Sequence, residues 1–268
     1  ITLIMTSNLK TLVSLIICSG LASLWLASCC PPVTAHSKIE PDSVNKDSLV
    51  YYYNLAVINS AYTASSKIVN DLVVVGDANA ALITKTMNGD KYVQCITWKG
   101  YIKPFLDSAT NKPKESIVTK PNAQIWVTVA PQLKTKVKGI DSAHINMRLL
   151  QMLGLPPYAT YSYFVEFWVR EKDLFRPCPD KDITDNSCGL DFPADCDSLH
   201  KLWINEQRIS RFFSTDTAWR FPWIELGYTY DWNPGNPKHE GCSEFVIKNN
   251  STVYINGIYT TNEYIYRH

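Results

Sequence analysis

The alternation of apolar and polar residues is strongest over "YSYFVEFWVR", residues 161 to 170, where it holds throughout and predicts a strand. "KYVQCITW", 91 to 98, alternates in the same way, and "AQIWVTVAPQL", 123 to 133, is rich enough in β-branched and aromatic residues for a third strand. Near the C-terminus, "WIELGYTYDW", "SEFVIKN" and "TVYINGIY" read as further strands. Helical spacing appears within 49 to 75, through Leu55, Ile58, Ala61, Tyr62, Ala64 and Ile68, and a short helix is expected around 78 to 86. Asp141 or Ser142 can cap a helix over "AHINMRLLQMLG", stopped by Gly154 and Pro156. Asp197 can cap "SLHKLWINEQRISRFF", whose Leu199, Leu202, Trp203, Ile209 and Phe213 fall near one helical side. Strands and helices interleave without a regular βαβ rhythm. The expected fold is therefore α+β, a single domain with a largely antiparallel sheet and several packed helices.

The first thirty residues carry a different pattern. Lys10 precedes an almost continuously apolar run from Leu12 to Trp25, which closes on Leu26-Ala27-Ser28-Cys29. A positive flank, a short apolar core and small residues before a cleavage point are the parts of an export signal. The run is short for a membrane span, which takes about 20 residues. Leu-Ala-Ser-Cys at this place resembles the lipobox of bacterial lipoproteins. That resemblance implies lipidation of Cys29, a membrane partner reached through the N-terminal lipid, and a site in the cell envelope outside the cytoplasm. Residues 1–28 are then the export signal, with 1–4 standing ahead of the internal Met5. The polar, proline-containing stretch 29–47 is a lipidated tether, and 48–268 is the globular domain.

Charge narrows the partners. The chain has 26 Lys+Arg against 25 Asp+Glu, a net +1, which argues against nucleic acid as a partner. Export also changes the meaning of the cysteines. Beyond Cys29 and the tether's Cys30 there remain Cys95, Cys178, Cys188, Cys196 and Cys242, all disulfide candidates in an oxidising compartment, with pairing left open. The run "PCPDKDITDNSCGLDFPADC", 177 to 196, reads first as an acidic loop held by a disulfide. Zinc on Cys188, Cys196 and His200 lacks a Cys-x-x-Cys pair. Calcium suits the carboxylates better, and Asp180, Asp182 and Asp185 are close enough in sequence to share such an ion, although the spacing is not an EF-hand.

Two segments suggest function. "AWRFPWIELGYTYDWNPGNP", 218 to 237, offers Trp219, Trp223 and Trp232 as faces on which sugar rings could stack, with Glu225, Asp231 and Asn233 to bond hydroxyls; core packing is the competing role. The ending "GCSEFVIKNNSTVYINGIYTTNEYI" resembles the C-terminal pattern of some ADP-ribosyltransferase-like toxins. That resemblance implies an NAD site in which Glu244 is the catalytic acid and Tyr228 or Tyr230 packs on nicotinamide. Arg170, or else Arg176, would hold NAD. The Ser-Thr-Ser and Glu-x-Glu elements of that superfamily are absent. His144, His200, His239 and His268 are available as bases, and Glu166 and Glu225 as a carboxylate pair, but no Gly-x-Ser-x-Gly or His-Glu-x-x-His motif organises them. Two expectations result: a non-catalytic envelope protein binding a glycan or protein partner, and, as the alternative, an ADP-ribosyltransferase-like enzyme.

Overall fold

The computed structural model describes residues 45–267; the export segment, Cys29, most of the tether and His268 lie outside them. The alternating stretch becomes β5 (Tyr163–Arg170), at the middle of an eight-stranded sheet. One edge of β5 pairs with β2 (Asp90–Lys99) from Tyr92↔Arg170 to Lys99↔Tyr163. Its other edge pairs with β10 (Thr252–Thr260), which carries an irregularity between Ile255 and Gly257 and pairs in turn with β3 (Ser116–Val118). The free edge of β2 is shared by β1 (Thr84–Met87) and β4 (Trp126–Val129). From β4 the sheet continues to β9 (Phe245–Ile247) and β6 (Leu174–Phe175). Every pairing is antiparallel. A separate two-stranded ribbon joins β7 (Tyr228–Tyr230) to β8 (Glu240–Ser243). With its helices this is a single α+β domain built on a largely antiparallel sheet, as expected.

Where a helix was expected near 78 to 86, the chain turns and then forms β1. Asn88 and Gly89 both have positive φ, 51° and 81°, the geometry of the tight hairpin turn whose twist matches two antiparallel strands. Asn-Gly is the residue pair that adopts it most readily. The local turn chemistry outweighs the weak helical spacing before it.

Helices cover one face of the sheet. The first, α1 (Lys46–Ser60), begins within the expected tether, capped by the Asn45 side chain. It stops well short of residue 75 and buries Tyr53, Ala56, Val57 and Ser60, while Leu55 and Ile58 of the expected face point outward. Behind it come α2 (Gln132–Lys136) and α3 (Ile145–Met152), and α5 (Thr261–Tyr266) closes the chain with a full capping box between Thr260 and Glu263. These pack with Ile96, Trp98, Phe164, Leu149, Trp232 and Tyr264 into one apolar cluster. The opposite face gathers Val93, Cys95, Val127, Val129, Val165, Phe167 and Phe245 into a second. Because both faces are covered, β2 is buried at every residue from Tyr92 to Trp98 rather than at alternate ones.

The fourth helix, α4 (Ser198–Phe212), has the expected cap: the Asp197 carboxylate accepts from the His200 N–H at 2.8 Å. Its stripe does not pack as expected. Leu199, Leu202, Ile209 and Phe213 face solvent, at 54–76% exposure. Trp203 alone of the set turns inward, its ring stacked on His200 and edge-on to Phe175, while Ile204 is fully buried beside it.

Candidate functional site

The cysteine and aspartate run forms a stapled loop. Cys178 and Cys188 are disulfide-bonded, with Cα atoms 6.7 Å apart, while Cys95, Cys196 and Cys242 have no disulfide partner among the described residues. Burial pushes the Cys242 thiol up to about 12, and Cys95 is raised likewise. Both behave as small apolar core residues. Removing the bridge by a Cys178→Ser, Cys188→Ser double change should cost about 2–3 kcal/mol in urea unfolding, from the loop entropy restored to the unfolded chain.

The three carboxylates of the calcium expectation already have partners. Asp180 accepts from the Asp182 N–H, Asp182 from the Thr184 N–H and hydroxyl, and Asp185 pairs with Arg176. Among the described residues no group of three or more His, Cys, Asp or Glu side chains is arranged to hold a metal ion.

The residues of the NAD expectation do not come together. Arg170, at the end of β5, is bound to Asp173 at 2.7 Å and lies near Asp90. Arg176 is fully buried, bound to Asp185 and to the carbonyls of Ser187, Asp185 and Val73. Tyr228 is buried with its hydroxyl donating to the Lys67 carbonyl, and Tyr230 is buried against His239 at a ring separation of 4.8 Å. Both arginines are thus held by the protein's own carboxylates and carbonyls. Glu244 alone of the set reaches a cavity.

The aromatic expectation divides in the same way. Trp232 is 1% exposed and donates to the carbonyls of Leu150 and Leu155, which makes it a core pillar. Trp219 is 64% exposed and stands apart. Trp223 is buried and lines the same cavity as Glu244. Of the polar partners expected beside them, Asp231 is bound by both Arg148 guanidinium nitrogens and Glu225 by Arg208. The other hydrolytic candidates are similarly engaged: Glu166 by Arg267 and Asn256, His200 with the Cys178 carbonyl, His239 with the Asp231 carbonyl, and His144 with Asp141.

The cavity has a volume of ≈ 250 Å³. One wall is the sheet, where Ile96, Thr97, Trp98 and Lys99 of β2 lie beside Trp126 and Thr128 of β4. The other is the segment Phe221–Trp223, with Leu153, Gly154 and Leu155 following α3. Gly154 has φ +65°, and a Cβ there would lie 3.3 Å from the carbonyls of Pro222 and Tyr230, so this wall closes only around glycine. Trp98 stacks with Tyr161 at 5.3 Å, and Trp126 meets Trp223 edge-on at 6.2 Å. Arg211 reaches in from α4, its guanidinium 5.1 Å from both the Trp126 and Phe221 rings and bonded to Gln207.

The polar atoms of this cavity are poorly satisfied by the protein. Thr128 Oγ1 and Trp223 Nε1 are buried without a hydrogen-bond partner among the described residues. Buried polar groups are normally paired, since leaving one unpaired costs about 1–3 kcal/mol. The Glu244 backbone is fixed by its N–H donating to the Gly227 carbonyl at 2.9 Å, but its carboxyl makes no hydrogen bond or ion pair among the described residues. Burial pushes that carboxyl up to about 8, with the Arg211 charge pulling it partly back. Burial also lowers Lys99 and Arg211, the latter partly restored by Glu244. Sequence reasoning found Glu244 and Trp223 but missed Thr128, Lys99 and Arg211. No local signal marks those three; they are assembled from separate strands and a helix. A second cavity, of ≈ 570 Å³, opens between 71–82 and 129–136, where Asp71 and Lys136 are its charged residues. The aromatic walls and unpaired atoms belong to the first.

The raised Glu244 carboxyl has a stability consequence. Its folded value lies above the ordinary 4.5, so the folded state holds the proton more tightly than the unfolded chain. The cost of ionising it is absent below that ordinary value and grows as pH rises toward about 8. Glu244→Gln should therefore leave Tm nearly unchanged at acid pH and raise it at alkaline pH, by roughly 1–3 kcal/mol or several degrees. Thermal melts of both proteins across pH check this.

No family model, curated protein or solved structure matches the chain.

Proposed function

We propose that this chain is an exported bacterial lipoprotein, anchored in the cell envelope through Cys29, whose domain binds the terminal unit of a glycan in the cavity lined by Trp98, Trp126, Trp223 and Glu244. The observation that carries the reading is that Thr128 and Trp223, whose Oγ1 and Nε1 are buried without a hydrogen-bond partner among the described residues, line one cavity with Trp98, Trp126 and Glu244. A sugar supplies what such a lining lacks: C–H faces for the rings and several hydroxyls that both donate and accept. Ligand pockets commonly enclose about 300–1,000 Å³. A cavity of ≈ 250 Å³ suits a single ring at a chain end better than a whole dinucleotide. Its polar lining is made of threonines, Lys99, Tyr161, Arg211 and Glu244, groups that can all hydrogen-bond sugar hydroxyls. Binding is the activity these residues support.

The test is capture of the purified protein on a panel of immobilised glycans. Binding to at least one glycan is expected, lost in Trp126→Ala and kept in Trp219→Ala; failure to bind any member, or loss with Trp219→Ala alone, would sink the assignment. The anchor is tested separately in bacteria fed a labelled fatty acid. Label should enter the wild type and not Cys29→Ser, and equal labelling would refute lipidation at this residue. The ADP-ribosyltransferase-like alternative has one observation in its favour, the carboxyl of Glu244 in a cavity. NAD hydrolysis by the purified protein, abolished in Glu244→Gln, would favour it; none is expected.

A further inference from the structure

We infer that the cavity selects an anionic sugar, of the uronic acid class, over the matching neutral sugar. The inference rests on the glycan reading above and adds a charge to it. Two cations line the cavity, Lys99 from β2 and Arg211 from α4, and neither has a carboxylate within ion-pair distance among the described residues. Arg148, Arg170, Arg176, Arg208 and Arg267 each have one; Arg220, like Arg211, has none among the described residues, but it is not in the cavity lining and its Nε donates to the Ser214 carbonyl. The guanidinium of Arg211 is nevertheless held in position, between two aromatic rings and against Gln207, so its location is fixed without its charge being neutralised. A half-buried, pre-oriented and unpaired guanidinium is suited to receive a planar carboxylate from outside the protein.

Glu244 is the one acidic side chain in the lining, and its burial favours the neutral, proton-bearing form. A neutral carboxylic acid does not cancel the two cations, and its O–H can donate to a sugar oxygen. The cavity thus carries net positive charge, aromatic faces, and the free hydrogen-bonding atoms of Thr128 and Trp223. A neutral sugar would satisfy the last two features and leave the first unused.

The experiment is calorimetric titration of the purified protein with matched pairs, D-glucuronate against D-glucose and D-galacturonate against D-galactose. The expected result is at least about tenfold tighter binding of a uronate than of its neutral partner, the effect of one charge-assisted hydrogen bond. Arg211→Gln and Lys99→Gln should shrink that ratio while retaining weak binding of both sugars, with folding checked by circular dichroism. Raising the salt concentration on the unaltered protein gives a second reading that needs no variant, since it should also shrink the ratio. Equal binding of acid and neutral members would overturn the charge selection and leave the glycan reading standing. Binding of neither, together with a blank glycan panel, would overturn both.

Discussion

Replacing Arg176 by alanine is expected to destabilise the domain by about 3–5 kcal/mol, from the packing lost at a buried side chain and the carbonyls left without a donor. The side chain is fully buried, and its guanidinium bonds Asp185 as well as the carbonyls of Ser187 at 3.1 Å, Asp185 at 2.9 Å and Val73 at 3.3 Å. It therefore ties the stapled loop to the segment before β1. Its stem also fills space beside Gly227, where a Cβ would lie 2.6 Å from the arginine Cδ, and its head lies 5.8 Å from the Phe245 ring. Alanine would remove the packing and strand three carbonyls. Methionine should recover part of the loss, because it refills the volume and because Asp185, at 43% side-chain exposure, can be solvated. Urea unfolding of the three proteins measures this. Stability unchanged in the alanine variant would free Arg176 for the ligand-binding role that the sequence suggested.

Trp232→Ala should be of similar size, about 3–5 kcal/mol, the usual range for emptying a buried tryptophan site. The ring is 1% exposed and stands edge-on to Tyr53 at a centroid distance of 6.0 Å. Its Nε1 donates to the carbonyls of Leu150, in the last turn of α3, and Leu155, just past its end, the first of which also accepts the Leu155 N–H. Phenylalanine would keep most of the apolar area and lose both bonds, so an intermediate cost of roughly 1–3 kcal/mol is expected. Trp219→Ala, at an exposed position, should change stability by less than about 0.5 kcal/mol. If Trp232→Ala instead left the unfolding curve intact and removed ligand binding, the tryptophan would be a contact residue after all.

These two residues show where local pattern and tertiary structure part. Alternation identifies β5 because a strand must send successive side chains to opposite sides, and Asp197 caps α4 because its carboxylate answers a free N–H in its own turn. Both are local rules. The Asn88-Gly89 hairpin and the Thr260–Glu263 capping box are equally local. Burial is another matter. Tyr228 and Tyr230 read as candidates for packing on nicotinamide, yet in β7 both are buried in the helix-side core. The apolar stripe of α4 looks like a core face, yet Trp203 and Ile204 take the inward positions while Leu199, Ile209 and Phe213 remain outside. Lys99, Thr128, Arg211 and Glu244 are scattered over 146 positions and meet only when the sheet forms between them, so no window of sequence contains the site.

The most direct measurement is the chemical-shift map of the isotope-labelled protein titrated with the sugars that the glycan panel and the calorimetry identify. If the cavity is the binding site, the largest shifts fall on Thr97, Thr128, Leu153 and the indole N–H groups of Trp126 and Trp223. Shifts centred instead on Trp219 and the outer face of α4, or no shift with any of the sugars, would contradict the assignment of the cavity.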